Sequence, residues 1–292
     1  MDLSIIIPAK NEADNLTTLL PRIKKLYPDA ELIVVDDGSS DSSGDRARDN
    51  GAKCIRHHIS LGNGAAIKSG ARAAKGKTLV FLDGDGQHNP DDIEKLLRRK
   101  NDGFDMVIGA RTNKSQASVT RLLGNILYNK VASLMTGRAI LDLTSGFRAV
   151  EAKKFKKFLY LLPNGFSYPT TITMAFFRSG YQVDYVPITA LARSGDSKIH
   201  LFKDGIRFII IIMKIGALFS PMRLFLPISA GTFFVGFGYY IYTFITAGRF
   251  TNMSALLFTS SLLIFLIGIV SEQISSLHYR FTDANSQYEQ ND

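Results

Sequence analysis

The sequence predicts an α/β head built on a mainly parallel, Rossmann-like sheet with flanking helices. Behind it come an amphipathic helix lying on a membrane and a two-helix transmembrane hairpin. Three observations carry this. Up to about Ala190, short apolar runs of strand length alternate with segments of helical period. The strands end in acidic or glycine-rich polar loops. Two later stretches, Leu224 to Ala247 and Met253 to Ser271, contain no charged residue, and each is long enough to cross about 30 Å of hydrocarbon as a helix.

Leu3 to Ile7 is an apolar run closed by Pro8, and after it Leu16, Leu19, Leu20 and Ile23 recur at helical spacing: a strand, then a helix. Glu31 to Val35 repeats the pattern and ends in DDGSSDSSGD, an acidic turn before a polar helix. Lys53 to Arg56 is a third strand, and LGNGAAIKSGARAAKG behind it has the Ala and Gly content of a helix packed closely on a sheet. Thr78 to Leu82 is the fourth, followed by a helix from about Pro90 to Arg99 and a strand from Asp105 to Ile108. Beyond Arg111, Thr120 to Met135 reads as a helix and Leu141 to Val150 as a loop entering a strand. Helices then follow around Lys153 to Leu159 and Phe166 to Arg178, with a last strand at Tyr181 to Val186 and a polar, mobile loop at Ala192 to His200. Such alternation implies right-handed βαβ crossovers. The loops Pro8 to Glu12, Asp36 to Asp41 and Asp83 to Gln87 therefore converge at the carboxyl edge of the sheet, where ligands bind.

The expected division is a head over residues 1–200, an interfacial helix over 201–222, a hairpin over 223–280 with spans at about 224–247 and 253–275, and a polar tail over 281–292. Ile206 to Phe219 is too short to span and carries Arg207 and Lys214, which reads as a helix on the bilayer surface. Lys198, Lys203, Arg207, Lys214 and Arg223 precede the spans and His278 and Arg280 follow them, placing head and tail on the cytoplasmic side. The same residues make an anionic membrane surface, rather than nucleic acid, the partner of a net charge of +9. The single cysteine, Cys54, excludes an internal disulfide and a multi-cysteine zinc site. Met1 to Pro8 is too short for the apolar core of a cleavable signal.

The chemistry concentrates in TLVFLDGDGQH, Thr78 to His88, where a buried strand runs into Asp83 and Asp85, with Gln87 two residues on. Oxygen donors alone suit a hard divalent cation and, through it, a diphosphate. A calcium EF-hand fails on context, because His88 stands where the loop needs glycine and a strand precedes it. Capping of the following helix is the bland alternative. Gly62-Asn63-Gly64 lacks the third glycine of a dinucleotide fingerprint and reads as a turn, and no Walker phosphate loop is present. His57-His58, without further ligands nearby, reads as a pair of exposed polar residues. Arg111, Arg121, Arg148 and Arg193 offer planar forks for phosphate, and beside a membrane anchor they point to a second phosphate at the bilayer face.

IIPAKNEADNL, VVDDGSSD, FLDGDGQHNPDDI, GAR and LTSGFRA occur in that order ahead of a membrane hairpin. Over essentially the whole chain this resembles the family-two glycosyltransferases of the dolichol-phosphate mannose synthase and polyprenyl-phosphate glycosyltransferase type. The resemblance implies a GT-A-like fold. It also implies inverting transfer of a hexose from GDP-mannose, UDP-glucose or UDP-N-acetylglucosamine to dolichyl or undecaprenyl phosphate. By the same resemblance Pro8, Ala9, Glu12 and Asp37 hold base and ribose, Asp83 and Gly84 meet the donor, and Asp83, Asp85 and Gln87 ligate Mg2+ or Mn2+. Arg193 and Lys198 belong to a loop over the donor phosphates. Arg111 and Arg121, with Ser145 and Arg148, face the acceptor phosphate, and Asp85, Arg111 and Arg121 are the catalytic residues. His200 departs from the pattern, since some relatives carry Lys there. A lipid phosphate, with a second pKa of about 6, is already largely dianionic and attacks a sugar carbon without a strong general base. Two alternatives remain: a transferase with a saccharide acceptor, and a non-catalytic nucleotide-sugar-binding module.

Overall fold

The computed structural model describes residues 2–111, 119–165, 168–189, 213–214 and 216–288, without the side chains of 119–125, 127 and 278–288. The chain divides into two compact units, Met1–Ser133 with Arg138–Ile199, and Leu134–Gly137 with His200–Asp292.

The first unit is a seven-stranded sheet of β1 (Leu3–Ala9), β2 (Glu31–Asp36), β3 (Lys53–Arg56), β4 (Thr78–Phe81), β5 (Met106–Arg111), β6 (Arg148–Glu151) and β7 (Val183–Ile188). Their order is β3-β2-β1-β4-β6-β5-β7. Every pairing is parallel except the two made by β6, which runs backwards between β4 and β5. The sheet is thus mainly parallel, as the strand–helix alternation requires, with one reversed strand inside it, between β4 and β5. β7 begins two residues later than its apolar pattern predicts and ends beyond Pro187, a residue tolerated because this strand lies at the edge.

Helices α1 (Ala13–Leu26), α2 (Ser43–Asp49), α3 (Asn63–Ala73), α4 (Asp92–Asn101), α5 (Val119–Thr136), α6 (Ala152–Lys156) and α7 (Tyr168–Arg178) complete the alternation. α1 buries Leu16, Leu19, Leu20 and Ile23, the four residues at helical spacing. They pack with Ile5, Ile7, Val34, Val80, Ile93 and Val107, and each such side chain contributes roughly 1.5–3 kcal/mol relative to exposure. β1 is buried on both faces, as a central strand covered by helices must be.

The second unit contains two long helices, Pro221–Ala247 and Asn252–Tyr288, joined through Gly248 in the left-handed conformation at φ 61°. Residues 221–247 and 252–277 are long and apolar enough to cross a membrane, with mean hydropathies of 1.5 and 2.4 over an 18-residue window of each. Their large apolar side chains, Phe234, Val235, Ile245, Leu263 and Ile274 among them, point outward and are more than half exposed, which a soluble core helix would not allow. Small residues hold the pair together. Ser229 and Ser261 each donate a hydroxyl to the other's carbonyl at 2.9 Å, and Gly236 and Gly268 let Leu257 and Phe225 close in. Of the expected interfacial helix, 213–214 and 216–219 are helical, and the remainder lies outside the described residues. Arg223 donates to the carbonyls of Leu134 and Met135, at 3.1 and 2.9 Å, and so satisfies the last turn of α5.

Candidate active site

The end of β1 is the spine of the site. Asp37 N–H donates to the Ala9 carbonyl at 2.9 Å and Gly84 N–H to that of Pro8 at 3.3 Å, so the β2 and β4 loops are laid on either side of it. Gly84 makes this approach because a Cβ there would sit 3.1 Å from the Pro8 carbonyl. α1 starts without a side-chain cap of its own. The N–H groups of Asn11, Glu12 and Ala13 donate instead to Ser39 Oγ, Ser43 Oγ and Asp41 Oδ2 at 3.0, 2.8 and 3.1 Å. The serine-rich β2 loop is therefore a cap for a neighbouring helix.

Between these loops lies a cleft of about 550 Å³, lined by Pro8, Ala9, Lys10, Glu12, Asp37, Ser60, Gly62, Asn63, Ala66, Asp83, Gly84 and Asp85. Pro8, Ala9, Glu12, Asp37, Asp83, Gly84 and Asp85 are residues expected there from the sequence. Lys10, Ser60 and Asn63 were not, and Lys10 Nζ donates to Ser60 Oγ at 3.0 Å.

Asp37 Oδ1 accepts from His57 Nδ1 at 2.7 Å and Leu61 N–H at 2.9 Å, and Oδ2 from Ser60 Oγ at 2.7 Å and Gly62 N–H at 2.9 Å. Burial alone would raise its pKa. The donors, His57 foremost, outweigh that and hold it at about 2. His57 is thus not an exposed polar residue: its side chain is 9% exposed, whereas its neighbour His58 points to solvent. Gly62, at φ 101°, is the N-cap of α3, and Asn63 and Gly64 are already its first helical residues, so the expected turn is a helix start; a Cβ on Gly62 would strike the Asn164 carbonyl at 2.6 Å.

Asp85 Oδ1 accepts from Gln87 N–H at 3.1 Å, closing a tight turn over Gly86 at φ 73°. Asp83 Oδ2 lies 3.6 Å from His88 Nε2, and His88 stacks on Phe147 at 5.0 Å. Gly146 backs the same carboxylate so closely that a Cβ would lie 2.8 Å from Oδ2. The described residues contain no cluster of three or more His, Cys, Asp or Glu able to enclose an ion. Two carboxylates in an open cleft fit a hard cation completed by substrate phosphate oxygens, the manner in which Mg2+ is usually held, so the donor set fits the expected ion.

Arg111 ends β5, and its fork closes on Asp142 through Nε at 2.8 Å and Nη2 at 3.0 Å. Burial disfavours its charge, but Asp142, and at longer range Asp83, outweigh this and raise its pKa. Burial likewise works against the Asp142 carboxylate, and Arg111 reverses it, lowering that pKa. Asp142, the ion-pair partner of Arg111, is a residue that periodicity and motif do not signal.

Arg148 corrects an expectation. Read as part of an acceptor-phosphate clamp, it is instead fully buried. Its guanidinium donates to the carbonyls of Ser145 and Pro169 and to Thr173 Oγ1, the last two at 3.2 Å, and burial lowers its pKa. The reason is topological: Arg148 opens the interior strand β6, flanked by β4 and β5 and covered by α7. Ser145 is also buried, and its carbonyl serves Arg148. Arg121 lies in α5 with its side chain outside the described residues, and Arg193, Lys198 and His200 lie outside them altogether.

A mainly parallel sheet with paired carboxylates at the end of a central strand, beside a basic residue, has the GT-A-like architecture of a sugar transferase. The chain belongs to glycosyl transferase family 2, whose description matches residues 4–159, and it is a glycosyltransferase. Residues 220–277 match the GtrB C-terminal hairpin, in keeping with a membrane anchor. Among curated relatives, a dolichyl-phosphate hexose transferase of Haloferax volcanii is 29% identical over 206 residues, covering 70% of this chain and 89% of the relative. An undecaprenyl-phosphate mannosyltransferase of Micrococcus luteus is 30% identical over 213 residues, covering 68% and 87%. The fold is similar to that of glucosyl-3-phosphoglycerate synthase from Mycobacterium tuberculosis, crystallised with Mn2+, UDP-glucose and phosphoglyceric acid. That likeness has a TM-score of 0.57 and 21% identity, over 72% of this chain and 79% of the other.

Proposed function

We propose that the protein transfers a hexose from a nucleotide sugar, GDP-mannose or a UDP-hexose, to the phosphate of a membrane polyprenyl phosphate, dolichyl or undecaprenyl, with inversion at the anomeric carbon. The observation that carries this is an acidic cleft at the β1, β2 and β4 ends with Arg111 in electrostatic reach of Asp83. The relatives' names, which pair hexose transfer with two polyprenyl phosphates, support the acceptor class.

In this reading Pro8, Ala9, Glu12, Asp37 and Gly84 form the nucleotide pocket. Asp83, Asp85 and Gln87 would hold Mg2+ or Mn2+, which supplies positive charge against the leaving diphosphate. Arg111 and Arg121 hold the acceptor phosphate, and Arg193 and Lys198 belong to a loop over the donor phosphates. Arg148 and Ser145 shape the 142–147 loop from behind. The phosphate dianion is its own nucleophile, so neither His57 nor His88 is required as a base. The hairpin anchors a head over residues 1–200 at the cytoplasmic face, where the lipid headgroup lies.

The test uses full-length protein in detergent with Mn2+, polyprenyl phosphate, and radiolabelled GDP-mannose, UDP-glucose and UDP-N-acetylglucosamine in turn. Label entering the organic phase with one donor is the expected result, and no lipid label with any of them ends the proposal. Arg121→Ala is expected to raise the lipid KM about tenfold, the loss of one charged hydrogen bond; unchanged lipid kinetics remove Arg121 from the clamp.

A further inference from the structure

His57 carries a role that none of the motifs assigns. Its two ring nitrogens are both engaged: Nδ1 lies 2.7 Å from Asp37 Oδ1 and Nε2 lies 2.9 Å from Ser69 Oγ in α3. An ionised carboxylate only accepts, so Nδ1 is the donor toward Asp37. Ser69, His57 and Asp37 have the connectivity of a nucleophilic triad, but in the reverse orientation. It is the carboxylate that lines the cleft, while Ser69 sits within α3 and does not line it. The chain of bonds thus holds an acceptor in place at the cleft and presents no nucleophile there.

The acceptor in turn organises a turn of backbone. Asp37 gathers His57, the Ser60 hydroxyl and the N–H groups of Leu61 and Gly62 onto one carboxylate, and Ser60 and Gly62 are cleft wall. Each carboxylate oxygen receives two donors, so the position of the carboxylate and that of the 60–62 turn are set together. The Ser69 hydroxyl fixes the imidazole plane from the far side, on a rigid element. With its side chain only 9% exposed, the ring has little solvent to substitute for either bond.

We propose that His57 is a positioning residue for the donor. Anchored on α3 through Ser69, it sets the Asp37 carboxylate and, through it, the 60–62 wall of the nucleotide pocket. The assignment rests on the glycosyl-transfer reading above for the word donor, and on the geometry alone for the wall. Covalent structure supplies a discriminating pair of variants. The amide nitrogen of Asn stands at the same distance from Cβ as His Nδ1, and that of Gln at the distance of Nε2. His57→Asn therefore keeps the Asp37 bond and loses Ser69, and His57→Gln does the opposite.

With full-length protein in detergent, His57→Gln is expected to raise the KM for the sugar nucleotide that labels lipid about tenfold, with kcat within about twofold, and His57→Asn is expected to recover most of that affinity. Hydrogen exchange over residues 57–64, measured without nucleotide, is expected to quicken about tenfold in the Gln variant and much less in the Asn variant. Equal KM and equal exchange in the two variants overturn the assignment, as does a fall in kcat at unchanged KM. If wild-type protein transfers no sugar, the glycosyl-transfer reading falls while the exchange comparison still decides whether His57 sets the wall.

Discussion

Arg111 and Arg148 stand on adjacent paired strands, and both carry the planar fork that suits phosphate, yet they occupy opposite worlds. Arg111 is about a quarter exposed at the carboxyl end of β5 and has Asp142 beside it. Arg148 is sealed in, with carbonyls and a hydroxyl for partners and Nε left without a hydrogen bond. The register explains the contrast. Arg148 pairs with Ile108, three residues before Arg111, so at about 3.3 Å per residue it begins about 10 Å below the loop edge. Residue type offers a charge, and depth along the strand decides whether that charge reaches the loop edge or stays in the interior.

If charges at the strand ends do chemistry while the sunken one does architecture, Asp85→Ala should cost about a thousandfold in lipid labelling and leave the melting temperature in place. A parallel loss of melting temperature would break the distinction. Arg148→Ala should do the reverse, removing about 3 kcal/mol of stability through a cavity and stranded carbonyls, with the lipid KM of the folded protein unchanged. A lipid KM raised tenfold without a change in melting would return Arg148 to the phosphate.

Asp37 sharpens the comparison, because a depressed carboxylate pKa stabilises the fold above the unfolded value of 3.8 and loses that contribution as pH falls toward about 2. Asp37→Asn should therefore flatten the acid limb of the stability curve between those two pH values by about 2 kcal/mol, as followed by chemical denaturation. The mildest change, Arg111→Lys, keeps the charge but cannot keep the two-point grip on Asp142. It should raise the lipid KM about tenfold with donor KM unaltered in the same assay.

Strand and helix positions, the three converging loops and the apolar hairpin were legible because each is written locally, in periodicity or in a run without charge. What escaped depended on partners far away in sequence. β6 is four residues long, and nothing within RAVE says that it will be inserted backwards between two strands. The serines of the β2 loop read only as part of an acidic turn because the N–H groups they satisfy belong to another loop. His57 looked exposed because its two partners, Asp37 and Ser69, are 20 and 12 residues away. Asp142 lacked a signal for the same reason, since its partner Arg111 is 31 residues upstream.

The reversed strand is also the piece that closes the sheet. On one side β3, β2, β1 and β4 are consecutive neighbours. On the other is β5, and both strands it pairs with, β6 and β7, come after it in the sequence. β6 joins the two groups of strands, pairing with β4 on one side and with β5 on the other. An unpaired strand edge is a template for strands of other chains, and β6 covers such an edge on β4 and on β5 at once.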